Sequence, residues 1–197
     1  MKQINSYILL EQLQSDVREI LLQCTALQSS KTQDLSQEPQ PGKWSVAQVL
    51  EHLNIYARYY IHAIENSLHR NQTGPSVNFT PGWLGNYFTN LMKPTEDKTI
   101  KSKMKAPANA VPSAQPDAVA MLTEFINHQH HLLNLLQIAR TANLDYNRIP
   151  ISLTRLIKLK LGDTFRFFIA HEQRHFLQIQ NTLKQVEQNS PSVLSAA

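Results

Sequence analysis

An all-α fold is predicted for this 197-residue chain by the scarcity of glycine, 5 in all, and by four long stretches whose apolar residues recur with the 3.6-residue helical period. A third observation sets the connectivity. Between Asn71 and Pro116 the chain is long, poor in periodicity and punctuated by Pro75, Pro81, Pro94, Pro107, Pro112 and Pro116. A connection that long needs a reason inside a compact protein. It is accounted for if the third long helix runs parallel to the second, so that the chain must travel back along the bundle; about 12 extended residues just cover the roughly 37 Å of a 25-residue helix.

The first helix is expected over about Ser6 to Ser29, with Leu9, Leu13, Val17, Ile20, Cys24 and Leu27 on one stripe. Residues from Ser29 to Lys43, with Pro41-Gly42, read as a loop. The second helix opens at Trp44-Ser45, where Ser45 as N-cap and Gln48 three residues later make a capping box. Its stripe is Val46, Val49, Leu50, Leu53, Ala57 and Tyr60, continuing to Ile64, with His52 and Tyr56 on one flank. It fades near Asn71. Trp83 to Met92 reads as a short helix within the long connection.

The third long helix begins near Asp117 and reaches about Arg140, with Val119, Leu122, Phe125, Ile126, Leu133 and Leu136 on its stripe and His130 and Gln137 bordering it. Asn143 to Lys160 is a connector, anchored by Leu153, Leu156, Ile157 and Leu159. The fourth helix starts at Gly162-Asp163, and Asp163 suits the positive end of its dipole. Phe165, Phe168, Ile169, Phe176, Ile179 and Leu183 form its core stripe. We expect a single domain over residues 1–190 and a flexible tail at 191–197.

His171 and His175 lie about 40° apart around the fourth helix and one turn apart along it, so two imidazoles can chelate one divalent ion. Glu172 falls near the middle of the apolar stripe, where an unpaired carboxylate is expensive; a partner such as a histidine N–H or an arginine is expected. His171-Glu172-Gln173-Arg174-His175 is also the literal H-E-x-x-H pattern of zinc proteases. No histidine follows His175 and the glycine of the extended motif is missing, so the protease reading is the weaker one. With His52 as a third ligand from a facing helix the coordination sphere stays open, and water or a thiol reaching the ion becomes more acidic.

Two runs resemble the DinB-like, or YfiT-like, superfamily: Lys43-Trp44-Ser45-Val46-Ala47-Gln48-Val49-Leu50-Glu51-His52-Leu53 and His171-Glu172-Gln173-Arg174-His175-Phe176-Leu177-Gln178-Ile179. The resemblance implies a four-helix bundle of up-down-down-up topology with the long crossover between the second and third helices. It also implies a three-histidine metal site at His52, His171 and His175, holding zinc, nickel or iron. Members include thiol-dependent S-transferases, an isomerase that uses a thiol cofactor and hydrolases. A metal-dependent enzyme that activates a thiol or water for transfer to a small electrophile is therefore the expected function, with a low-molecular-weight thiol as co-substrate. A non-catalytic metal- or ligand-binding helical module is the alternative. Glu172 is assigned a supporting place behind the ligands, and Tyr56, His130, Arg174 and Gln178 are candidates for the substrate pocket. The family also implies a homodimer.

Composition bounds the remaining classes. Lysine plus arginine exceed aspartate plus glutamate by 19 − 15 = 4. Lys93, Lys98, Lys101, Lys103 and Lys105 crowd one connecting segment, which reads as a solvated surface, so no nucleic-acid partner is expected. Cys24 is the sole cysteine, which excludes an intrachain disulfide and any Cys-based metal site; it reads as a buried small hydrophobe. No membrane span or leader is recognisable, and a cytoplasmic location follows as the default. His62, His69, His128 and His131 read as ordinary polar residues, the last two exposed, and Trp44 and Trp83 as core or lid residues.

Overall fold

The computed structural model describes residues 2–70, 73–95, 97, 99–100 and 104–189. Lys98, Lys101 and Lys103 of the basic run, and the tail expected at 191–197, lie outside them. The fold is all-α, with two short β pairings attached to it. The helices are α1 (Ser6–Gln28), α2 (Thr32–Ser36), α3 (Val46–His69), α4 (Trp83–Met92), α5 (Ala118–Ile138) and α6 (Leu161–Asn189). The strands are β1 (Ile4–Asn5) with β2 (Asn78–Phe79), and β3 (Arg148–Ile151) with β4 (Thr154–Lys160), both antiparallel.

Each long helix is started by a local device. The Asn5 side chain accepts from the Ile8 N–H, Asp117 accepts from Val119 and Ala120, and the Ser45–Gln48 capping box forms in full. In α6 the leading amides of Leu161 and Gly162 instead donate to the carbonyls of Asn147 and Leu144, so the turn before the β-hairpin serves as its cap. Asp163 sits in the first turn, where it suits the dipole, and accepts the Gly82 N–H at 2.7 Å and an Arg166 guanidinium N–H at 3.0 Å.

α1 and α3 each pack against both α5 and α6. Arg58 pairs bidentately with Glu124 at 2.6 and 2.7 Å, and Glu65 meets His131, so α3 and α5 run parallel. α1 and α5 run antiparallel, as Gln14 meets Gln137 and Glu11 meets Arg140. α3 crosses α6 antiparallel: His52 lies by His175 and Tyr60 by Phe168. The apolar interior forms two clusters along the helices, one around Tyr60, Phe79, Leu132, Phe165 and Phe168 and the other around Ile20, Leu50, Leu53, Phe125, Phe176 and Ile179. Cys24 is fully buried in the second, as expected.

The long connection between α3 and α5 is more than a return path. Phe79 of β2 pairs with Ile4 and is fully buried, and α4 then lies against α6. That approach requires glycine: a Cβ on Gly85 would sit 2.2 Å from the Asp163 side chain. Beyond α4, a turn of 3₁₀ helix at Ala108–Ala110 brings the chain back against α3, where Glu51 accepts from Ser113 and Gln48 donates to the Ser113 and Ala114 carbonyls. No helix among the described residues is long and apolar enough to cross a membrane.

Three expectations are corrected. Asn143 to Lys160 is more than a connector and carries the β3–β4 hairpin; of the four expected anchors Leu153 and Leu156 are exposed and Ile157 and Leu159 pack inward, beside Ile149 and Ile151. The core stripe of α5 is Leu122, Phe125, Gln129, Leu132, Leu135 and Leu136, rotated from the predicted one, so Val119 is exposed. Trp83 is 75% exposed on α4 and belongs to no core. The loop after α1 also contains α2, whose Leu35 is buried but whose length gives no periodic signal.

Candidate metal centre

His52 projects from the first half of α3, and His171 and His175 from successive turns of α6, on the side that faces α3. Because α3 and α6 run antiparallel, residues far apart in the chain meet. The ring centroids are 5.4 Å apart for His52 and His171, 4.7 Å for His52 and His175, and 4.5 Å for His171 and His175. One nitrogen from each of the three lies within 4.8 Å of the others.

The rings are held in part by their own hydrogen bonds. His52 Nδ1–H donates to the Ala110 carbonyl at 2.6 Å, and His175 Nδ1–H donates to Gln178 Oε1 at 2.9 Å. Both bonds fix a tautomer that leaves Nε2 with its lone pair, which is how ligand histidines are normally oriented. His171 Nδ1, by contrast, is buried with no hydrogen-bond partner. A buried imidazole nitrogen without a partner is costly, and a metal ion is one of the few groups that satisfies it.

Electrostatics point the same way. Burial lowers the pKa of His52. Burial, then the neighbouring His175 and His52, puts His171 well below the ordinary histidine value. Burial and His52 push His175 down to about 3. All three are neutral at pH 7, the only form that binds a metal. The donor set, its neutrality and the orphaned nitrogen therefore fit a divalent ion held by His52, His171 and His175.

The cluster opens into a cavity of ≈ 940 Å³ lined by α3, α4, α6, the crossover and the tip of the β3–β4 hairpin. Tyr56, Arg174 and Gln178 all line it. The Tyr56 ring is 5.0 Å from that of His52 and 4.5 Å from that of His171, and burial raises its pKa, so it stays a phenol. The Trp44 ring is 5.2 Å from that of His52.

His130 is not part of this site. It is exposed on α5, because the residue that follows Phe125 by four on the core stripe is Gln129. His128 and His131 are half-buried along the α3–α5 seam, against Asn54 and Glu65 respectively, rather than exposed. Sequence reasoning missed the hairpin residues Ile151 and Ser152, which line the cavity. The alternation of Ile157 and Leu159 with Lys158 and Lys160 was the available signal.

Glu172 is fully buried and does have a partner, but neither a histidine nor an arginine. Gln129 Nε2 donates to its Oε1 at 2.8 Å, while Glu172 Oε2 and Gln129 Oε1 have no partner. Burial raises its pKa to about 8, so at pH 7 it is mainly the neutral acid. It is absent from the cavity wall. A general base of the zinc-protease type would have to reach that cavity, and Glu172 instead points to α5.

Comparison with known proteins adds one finding. None of the curated proteins and none of the solved structures compared with this chain matches it. The model of the DinB superfamily matches residues 10–179, from within α1 to Ile179 of α6 and across all three histidines, and the chain belongs to that superfamily.

Proposed function

We propose that the protein is a metal-dependent enzyme that activates a thiol or water for transfer to a small electrophile, of the thiol S-transferase or hydrolase type. The observation that carries this reading is the cluster of three neutral histidines at the wall of a cavity large enough for an organic molecule. Zinc, nickel and iron all suit three imidazoles. A divalent ion held there supplies a positive charge that lowers the pKa of a thiol or water in the cavity.

The chain's own residues prepare that chemistry. The Ala110 carbonyl and Gln178 orient two of the rings, and burial keeps all three unprotonated. Phe88 and Phe167 provide an apolar wall that limits water near the reacting groups. Tyr56, a buried phenol beside His52 and His171, is placed to donate a hydrogen bond to an anion developing on the electrophile. Glu172 supports α6 from the core side.

A non-catalytic metal- or ligand-binding module is the competing reading, favoured by the lack of any carboxylate among the described cavity-lining residues. Incubating zinc-, nickel- or iron-loaded protein with bacillithiol-like and other low-molecular-weight thiols and a small electrophile separates the two. Metal-dependent loss of thiol, or hydrolysis of the electrophile, that His171→Ala abolishes is expected. A metal-replete protein that consumes neither is a binding module.

A further inference from the structure

The cavity is far larger than an ion and a few waters require. At ≈ 940 Å³ it is at the upper end of sites that enclose organic ligands. Its wall has two distinct chemistries. Phe88, Leu91 and Met92 from α4, with Phe167 from α6, make one side apolar. The wall also carries cations: Lys43, which precedes Trp44 in the chain, and Arg174, which precedes His175.

Lys105 of the crossover is a third cation in the wall, and no aspartate or glutamate is among its described lining residues. The chain as a whole has 15 acidic residues against 19 basic, so this one-sided wall is not a reflection of composition. A cavity with one charge sign and an apolar flank selects by charge as well as by size.

We propose that this cavity binds an amphipathic organic anion, its acidic group at the end marked by Lys43, Arg174 and the histidines and its aromatic or aliphatic body against Phe88, Leu91, Met92 and Phe167. This deepens the enzymatic reading above, on which it rests for taking that anion as a substrate. A merely greasy cavity would bind a neutral ligand of the same shape equally well.

A matched pair of fluorescent probes decides the matter. 1-Anilinonaphthalene-8-sulfonate and N-phenyl-1-naphthylamine differ only in the sulfonate. Titrated into the folded, zinc-supplemented full chain, the sulfonate should saturate at one site per chain and bind about tenfold or more tightly than the neutral probe. Lys43→Gln, at an exposed position, should weaken the sulfonate about threefold or more and leave the neutral probe unchanged. Leu91→Glu, which puts a carboxylate on the apolar wall, should abolish sulfonate binding. Arg174→Gln should act like Lys43→Gln and more strongly; if it does not fold, Lys43→Gln and the wild-type pair decide. Equal affinity for the two probes, no saturation at one site, or full sulfonate affinity in Leu91→Glu overturns the proposal. Zinc content of the same samples keeps the two ideas apart: discrimination without bound zinc sinks the metal reading alone, and bound zinc without discrimination sinks this one alone.

Discussion

α6 carries two buried polar sites one residue apart, and they are built in opposite ways. Glu172 is sealed in the core against Gln129 of α5, while His171 and His175 face α3 and an open cavity. Both sites contain orphaned polar atoms: Glu172 Oε2 and Gln129 Oε1 in one, His171 Nδ1 in the other. In the sealed site the remedy is a proton. As a neutral acid, Glu172 has an O–H to donate, and the side-chain amide of Gln129 has a carbonyl to accept it. In the open site the remedy comes from outside, and a metal ion can reach it. Burial alone does not mark a functional group; burial beside a cavity, with donors already oriented, does.

The largest effect that sharpens this contrast is stabilisation by metal. A ligand that binds only the folded state at a thousandfold excess over its Kd adds about 4 kcal/mol. Zinc titrated into the chelator-treated protein should raise the unfolding midpoint accordingly in wild type and in Glu172→Gln, and not in His171→Ala. An equal rise in His171→Ala would place the ion elsewhere.

Next comes pH. The pKa of Glu172 is raised from 4.5 to about 8 on folding, so its contribution to stability is fully present below about pH 4.5 and is lost as pH rises through 8. The histidines have the opposite sign: their folded pKa values are depressed, so their contribution is present above about pH 6.5 and falls away below it. In chelator-treated protein, Glu172→Gln should therefore be more stable than wild type at pH 9, by on the order of 3 kcal/mol, and about equal to it near pH 4.5. Urea unfolding of both across that range reads the difference, and a constant difference would contradict the assignment.

Removing the partner instead of the acid should have a somewhat smaller effect, of the opposite sign. Gln129→Leu strips Glu172 of its donor and should destabilise the protein at pH 7 by about 2 kcal/mol without lowering its metal content. Loss of metal from this variant would show that the two sites are one. The smallest effect is expected from Gln178→Ala, which frees the His175 ring; metal affinity should fall about tenfold in a competition titration, with stability of the metal-free protein unchanged.

His171 and His175 were legible in sequence because helical periodicity is rigid: residues four apart must share a face, and the first of the two resembling runs, Lys43 to Leu53, supplied His52. The capping box of α3, the bounds of α4 and the buried Cys24 were legible for the same local reasons. Gln129 was not, since a polar residue on an amphipathic helix reads as solvent-facing unless its partner on another helix is known. That misreading rotated the α5 stripe and drew His130 into a pocket from which it points away. The β3–β4 hairpin was hidden by Pro150 and by exposed Leu153 and Leu156, which resemble core anchors. Nor does any local pattern announce that the Ala110 carbonyl, 58 residues away, would hold His52. Local periodicity places side chains on faces, whereas contacts set by the crossover depend on its path.

The central claim is that His52 on α3 and His171 and His175 on α6 together hold one divalent ion. Metal content of untagged protein, measured by inductively coupled plasma mass spectrometry after growth with zinc, nickel and iron, tests it most directly. The account predicts about one ion per chain in wild type and near none in His52→Ala, His171→Ala and His175→Ala, each still helical by circular dichroism. Equal metal in wild type and all three variants, or none in any of them, would contradict it.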